Sequence, residues 1–319
     1  MAISITSSYG GEGALPYISA AILSGDSIAN GYITVKTGVK KALALKILNG
    51  SDLIQDAACD FDASTSALTL TEAILTPDEL MTNVQVCKSD FRQDFEALQT
   101  GNGFINDVIP ENFASFMLLF LAGKVSEAME KNIWHGDYNE TNGATTGGNA
   151  VVNFAGILAR IVAGTPGFED TVAGAFTADA DGTTGILTHL DAAVAGVPGN
   201  TAGDEKTKIF MSRKSQYLLQ RAMAALGTNT NAVFVGQARP DMYVGYEIIV
   251  PAGFPNDTIV TAQIENLFFG TDLTSDFMEA KVLDMSLLDG SDNVRVAMRY
   301  VGATQVAVLG DVGVVRRTS

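Results

Sequence analysis

The run from Pro110 to Trp134 constrains this chain more than any other. Pro110 stands where a first helical turn tolerates proline, and Glu111 follows where the helix dipole favours an acid. Phe113, Met117, Phe120, Leu121, Val125, Met129 and Ile133 then recur at three- and four-residue spacing. The pattern predicts one continuous helix of about 37 Å at 1.5 Å per residue. Lys124, Glu127, Glu130 and Lys131 occupy its other side, and its most apolar part, Phe116 to Ala122, is too short to cross a bilayer. Such a helix buries one face only if the rest of the chain supplies a surface, so we read it as the spine of an α+β fold.

The flanking segments predict that surface. Residues 1–30 are rich in Gly, Ser and Ala and suggest an arm with little core of its own. Strand-like stretches follow at Ile33–Val35, Ala42–Leu48 and Ala67–Leu70, with turn chemistry at Asn49-Gly50-Ser51-Asp52 and Asp60-Phe61-Asp62-Ala63-Ser64. Together they predict a long hairpin with its tip in about residues 49–66. A two-stranded hairpin is marginal alone in water, so it should lie on something else, most simply a neighbouring subunit. Thr76-Pro77-Asp78-Glu79 predicts a short turn before a strand at Met81–Val86.

Beyond the helix, the Gly/Asn/Thr-rich Asp137–Asn149 is the best internal boundary. After it come helices at Phe154–Ala163 and Gly185–Ala195, a strand at Lys208–Met211, a helix at Ser212–Leu226 capped by Ser212, and strands around Val244–Val250 and Thr258–Ala262. Glu279–Leu287, Val294–Tyr300 and Gln305–Val308 read as strands, the last two separated at Gly302.

Catalytic chemistry is hard to place. Gly123-Lys124 is followed by Val125 inside the helix pattern and makes no phosphate loop, and in Gly101-Asn102-Gly103 an Asn106 stands where a dinucleotide fingerprint needs glycine. His135 and His189 have no metal-ligand spacing, and Cys59 and Cys87 read as small buried hydrophobes. Asp179-Ala180-Asp181-Gly182 resembles part of a calcium loop, but Thr177 and Thr188 stand where carboxylates belong, so it reads as a surface turn. No cofactor and no metal is expected. With 20 basic and 36 acidic side chains the net charge is −16, which offers no general attraction to DNA or anionic membrane. The N-terminal residues carry no secretory signal pattern, which predicts a soluble cytosolic chain.

Several stretches have a familiar flavour in this order: Cys59-Asp60-Phe61-Asp62, Leu68-Thr69-Leu70-Thr71-Glu72 and Val86-Cys87-Lys88-Ser89-Asp90-Phe91 before the helix. After it come Lys208-Ile209-Phe210-Met211-Ser212, Tyr246-Glu247-Ile248-Ile249-Val250-Pro251 and Glu265-Asn266-Leu267-Phe268-Phe269-Gly270-Thr271-Asp272. The chain resembles the major capsid proteins of tailed double-stranded-DNA bacteriophages, whose fold is shared with encapsulins and the herpesvirus capsid floor. The resemblance implies an N-terminal arm at 1–30, an extended loop at 31–75 and a peripheral domain at 76–149 with its spine helix at about 110–134. It further implies an axial α/β domain at 150–266 and a return to the peripheral sheet at 267–319.

The function implied is that of a non-enzymatic subunit that self-assembles into pentamers and hexamers of an icosahedral head around packaged DNA, without sequence-specific DNA binding. An encapsulin-like compartment shell remains the alternative, and an enzyme carried on residues 150–266 a more distant one. Implied partners are further copies of the chain, a separate scaffolding protein (because the arm starts close to Met1), a portal and in some relatives a decoration protein, all assembled in a bacterial cytoplasm. Lys36, Lys40, Lys41 and Lys46 contrast with the stretch 51–87, which lacks basic residues and carries Asp52, Asp56, Asp60, Asp62, Glu72, Asp78 and Glu79. The candidate intersubunit contacts are therefore Lys36, Lys40, Lys41, Lys46, Asp60, Asp62 and Glu72. A second acid-rich stretch, 161–205, reads as a solvated surface.

Overall fold

The computed structural model describes residues 7–10, 25–50, 59, 68–87, 111–138, 153–179, 184–199, 201–225, 242–272, 279–287, 290–291 and 293–318. The first sheet runs β1 (Ser7–Gly10), β12 (Glu279–Asp284), β13 (Asn293–Val306), β11 (Leu267–Thr271), β2 (Thr34–Thr37), with β5 (Asp78–Cys87) also paired to β13. All its pairings are antiparallel except β2 with β11. A separate two-stranded sheet is made by β3 (Leu43–Gly50) and β4 (Leu68–Leu75). The second large sheet runs β6 (Phe168–Ala173), β14 (Gly313–Thr318), β10 (Thr258–Gln263), β7 (Thr207–Met211), β9 (Tyr246–Ile249), β8 (Met242–Tyr243).

The described residues also form five α-helices, α1 (Asp26–Ala29), α2 (Glu111–His135), α3 (Ile157–Ala163), α4 (Ile186–Ala195) and α5 (Arg213–Ala225), and 3-10 turns at Ile264–Asn266, Met285–Leu287 and Leu309–Asp311. The expected long helix is α2, shifted by one residue at either end. Its buried positions Leu118, Leu121, Ala122, Val125, Met129 and Ile133 form one stripe against Val294, Val296 and Met298 of β13 and Ala280 and Val282 of β12 in a common core. Phe120 was expected on that stripe, but it is exposed, because one residue turns the helix by about 100° away from Leu121. At its C-terminal end Trp134 packs on Phe210 of β7 and on Phe254, with ring centroids 5.2 and 5.0 Å away, so one helix serves both large sheets.

The second sheet is buried on both faces. Phe210, Val260 and Val314 join the α2 core, whereas Ile209, Ile259 and Val315 join a second core with Ile186 and Leu190 of α4 and Leu219 of α5. Ser212 caps α5, its Oγ accepting the Ser215 N–H at 3.1 Å. Three expectations need correction. Residues 313–318 of the stretch 267–319 lie in the second sheet, because the Val314 and Val315 side chains both need apolar cover and only a central strand between β6 and β10 supplies it on both faces. Residues 34–37 belong to the first sheet and not to the extended loop. Gly302 interrupts nothing: β13 passes through it, and the missing side chain lets Met129, Phe154 and Leu80 approach, a Cβ there lying 3.1 to 3.4 Å from their atoms. Strands β1 and β6 had no clear signal in the sequence.

The C-terminal end of α2 and the start of α3 cross with backbones almost in contact. The Gly156 N–H donates to the Gly136 carbonyl at 2.7 Å. A Cβ on Gly156 would lie 2.5 Å from the Gly136 nitrogen and 2.7 Å from the Asn132 carbonyl oxygen, neither of which can rotate away. Gly156→Ala should therefore cost about 3 kcal/mol, read as a lowered urea midpoint, while Gly199→Ala, with open space around its Cβ, should leave the midpoint nearly unchanged.

Candidate assembly surface

Strands β3 and β4 place two rows of side chains on opposite faces of an isolated ribbon, because successive residues alternate. One face carries the pairs Ala44–Ile74, Lys46–Glu72 and Leu48–Leu70; the other carries Leu43–Leu75, Leu45–Ala73 and Ile47–Thr71. The root is anchored. Leu75 is fully buried with Val39 and Ala303, and the Gln305 side-chain amide donates to the Ile74 carbonyl at 2.6 Å. The exposed residues include Leu48 at 64%, Leu70 at 58% and Ile74 at 52%, large apolar side chains outside any core of their own chain. Covering these three would contribute on the order of 5 kcal/mol. Between the ribbon and the body lies a cleft of about 530 Å³, lined by Leu43, Leu45 and Ile47 on one side and Phe268, Asn266 and Val308 on the other.

The residues singled out by charge contrast are only partly brought together. Lys46 and Glu72 are direct cross-strand partners within one hairpin, a favourable opposite-charge pair on an exposed face. Lys36, on β2, lies with its ammonium 5.6 Å from the centre of the Phe268 ring. Lys40 and Lys41 are exposed in the connection from β2 to β3. Asp60 and Asp62 lie outside the described residues. Cys59 is exposed and Cys87 half-buried, which corrects the expectation that both are buried.

In the acid-rich stretch 161–205, read as a solvated surface, several acids have fixed partners. Glu169 accepts from the Arg316 guanidinium at 2.7 Å, Asp191 from the Tyr243 hydroxyl at 2.6 Å, and Asp204 from the Gln263 amide at 2.8 Å. These acids fasten neighbouring strands and helices of the second sheet to one another. Thr177 Oγ1 donates to Asp179, whereas Asp181 lies outside the described residues. Among the described residues, no group of three or more His, Cys, Asp or Glu side chains is placed to hold a metal ion, and no helix is long and apolar enough to cross a membrane.

Two buried carboxylates escaped sequence reading. Asp257, in the left-handed region at φ 54°, accepts from the Phe176 N–H at 3.1 Å and from the Lys214 ammonium at 3.1 and 3.2 Å, while its carbonyl takes the Arg317 N–H at 3.1 Å. Glu130 of α2 accepts the Ser27 N–H at 3.1 Å and the Ser27 hydroxyl, whose oxygen in turn accepts the Trp134 indole N–H at 2.8 Å. This node ties α1 to the spine helix beside a cavity of about 570 Å³ lined by Asp26, Glu127, Lys131 and His135. Asp257 had no signal, since its partners lie far away in sequence; Glu130, read with Lys124, Glu127 and Lys131 on the polar side of the helix, is instead buried, because Ser27 supplies its donors.

Solved structures of capsid assemblies share this architecture. A chain of the satellite phage P4 procapsid, which includes the size-determination (Sid) protein, aligns over 95% of this chain and 90% of its own at a TM-score of 0.62 and 10% identity. The capsid of the cyanophage P-SCSP1u aligns over 92% and 88% at 0.54 and 15% identity, and that of an empty GTA particle over 94% and 91% at 0.53 and 12% identity. No protein-family model matches the chain, and no curated protein is similar to it. The α+β fold is thus related to that of phage and GTA capsid structures, at sequence identities where only the fold carries over.

Burial pushes the Glu130 carboxyl above its usual range; Asp26 adds to this and the Ser27 and Trp134 hydrogen bonds oppose it. A carboxyl raised in the folded state binds its proton more tightly there than when unfolded, so its favourable contribution is full below the unfolded value of 4.5 and is lost as pH rises through the folded value. Glu130→Gln should remove that dependence. Unfolding midpoints measured from pH 4 to 8 should show wild type losing more stability than the variant as pH rises above about 4.5.

Proposed function

We propose that the chain is the major shell subunit of a tailed double-stranded-DNA phage head, assembling as pentamers and hexamers into an icosahedral capsid. The observation that carries this is the ribbon β3–β4, which displays Leu48, Leu70 and Ile74 outside its own core, in a chain with the fold of solved capsid assemblies over nine-tenths of its length. A monomer gains nothing from such a ribbon; a neighbouring subunit that covers it does. Each contact is modest, and closure of a shell multiplies them.

In this reading the arm, extended loop, peripheral part and axial part are those of a capsid subunit, with the loop confined to the ribbon and the last strand assigned to the axial sheet. The subunit does no catalysis and takes no cofactor. Lys36, Lys40, Lys41 and Lys46, all four exposed, together with Asp60, Asp62 and Glu72 contribute intersubunit contacts. Scaffolding, portal and decoration proteins are partners of the same shell, and the enclosed DNA is held without base contacts.

Negative-stain microscopy and sedimentation of the purified chain, alone and with a co-expressed scaffolding protein, test the proposal. Closed shells tens of nanometres across are expected; a monomer or dimer under every condition overturns it. Shells filled with a protein cargo in place of DNA would move the assignment to a compartment. The double variant Leu48→Asp/Leu70→Asp should keep the wild-type circular dichroism spectrum and urea midpoint yet lose at least nine-tenths of the assembled material.

A further inference from the structure

Charge is spread unevenly along this acidic chain. Residues 206–240 hold six of the 20 Lys and Arg residues and none of the 36 Asp and Glu residues. Three of the six are neutralised within the body: Lys206 on Glu265 at 2.8 Å, Lys208 on Glu247 at 2.7 Å and Lys214 on Asp257 at 3.1 Å. Arg239 lies outside the described residues. Arg213 and Arg221 of α5 are exposed and have no carboxylate partner among the described residues.

Helix stability does not account for these two arginines. α5 buries Ser215, Gln216, Leu219 and Ala222, and Arg213, Tyr217 and Arg221 follow one another at four-residue spacing on the opposite, exposed side. Arg213 stands in the first turn, where the positive end of the helix disfavours a cation, and its guanidinium donates to the neutral Gln216 amide oxygen at 2.9 Å. Asp26 lines the same hollow of about 390 Å³ as Arg213, but its carboxylate accepts from the Ala252 N–H at 3.1 Å and the Asn30 amide at 2.7 Å. The Arg221 guanidinium lies 5.9 Å from the centre of the Tyr217 ring, which is 56% exposed. A cation at the wrong end of a helix and an aromatic ring left in water both cost the isolated subunit free energy. Both suit a polyanion: guanidinium groups bind phosphate bidentately, and the Tyr217 hydroxyl and Gln220 amide are donors of the kind that phosphate oxygens accept. Steps of four residues put the two arginine backbones about 12 Å apart along the helix, close to the width of a DNA major groove of about 12 Å, so phosphates on both rims come within reach.

We propose that the Arg213–Tyr217–Arg221 stripe of α5 is a contact for the phosphate backbone of double-stranded DNA, weak and indifferent to sequence. It rests on the shell reading for the direction in which α5 faces, which is towards the enclosed DNA. Two phosphate contacts on a chain of net charge −16 make a loose grip, because the general repulsion opposes the local attraction. Such a contact positions DNA against the wall without holding it there.

A short labelled DNA duplex, titrated with the purified chain and followed by fluorescence anisotropy, tests the contact without requiring a shell. Two phosphate contacts predict a slope of about −1.8 in log affinity against log salt, an affinity loss of about twelvefold between 50 and 200 mM. Arg213→Glu/Arg221→Glu should bind at least tenfold more weakly and with a flatter slope. Its urea midpoint should hold or rise, because an acid suits the first turn of a helix. A duplex that does not bind, or that binds wild type and variant equally, overturns the inference. A poly-glutamate peptide that binds wild type but not the variant, with no duplex bound, overturns it in favour of an acidic protein surface, that of a second copy included. In closed shells of Cys59→Ser/Cys87→Ser/Ala225→Cys, a maleimide too bulky to cross the wall should leave the new thiol on α5 unlabelled; labelling would put α5 on the outside and overturn the inference. Duplex binding by a chain that never forms shells would leave the phosphate contact standing and remove the shell reading; normal shells without duplex binding would do the reverse.

Discussion

Burial of one long helix against two different sheets is the interaction on which the rest of the molecule depends. The stripe from Leu118 to Ile133 covers β12 and β13, and Trp134, one residue on, inserts between Phe210 and Phe254. A single core therefore runs from the first sheet into the second, and neither sheet can shift without disturbing the same helix. Such cores are close-packed, so strain at one end is passed along and not absorbed. The close backbone crossing at Gly136 and Gly156 and the gap at Gly302 follow from how near the helix must lie to its neighbours.

Against this rigid body the ribbon β3–β4 is a lever with one fixed end. Leu75 and Gln305 fix its root, and every residue towards Gly50 and Leu68 depends on backbone pairing and on whatever covers its apolar rows. In an isolated subunit that is a poor arrangement. A neighbouring surface that covered those rows would take them out of water.

Electrostatics inside the body has a different purpose. Asp257 gathers the Phe176 loop, α5 and the end of β14, while Glu169, Asp191 and Asp204 bind strands and helices of the second sheet to one another. Glu130 holds α1 on the spine helix through Ser27. Asp257 and Glu130 are buried, so losing a partner there costs more than the net worth of the pair, whereas Glu169 and Asp191 are exposed and their contacts are weaker. They explain how a strongly acidic chain keeps a compact body despite its self-repulsion.

The sequence by itself determined the elements whose signal is local. The spacing of Leu121, Val125, Met129 and Ile133 is a property of one helix face, the alternation in β3 and β4 belongs to one ribbon, and the Ser212 cap acts within one turn. Tertiary structure alone decided everything that depends on partners distant in the chain. It put β14 in the second sheet because Val314 and Val315 both required apolar cover, ran β13 straight through Gly302 because a helix needed the space, turned Phe120 to the outside, and set Lys46 against Glu72 and Ser27 against Glu130. A strand's register and a carboxylate's partner are fixed by which surfaces meet when the core closes, and the residues that meet carry no mark of it in their own neighbourhoods.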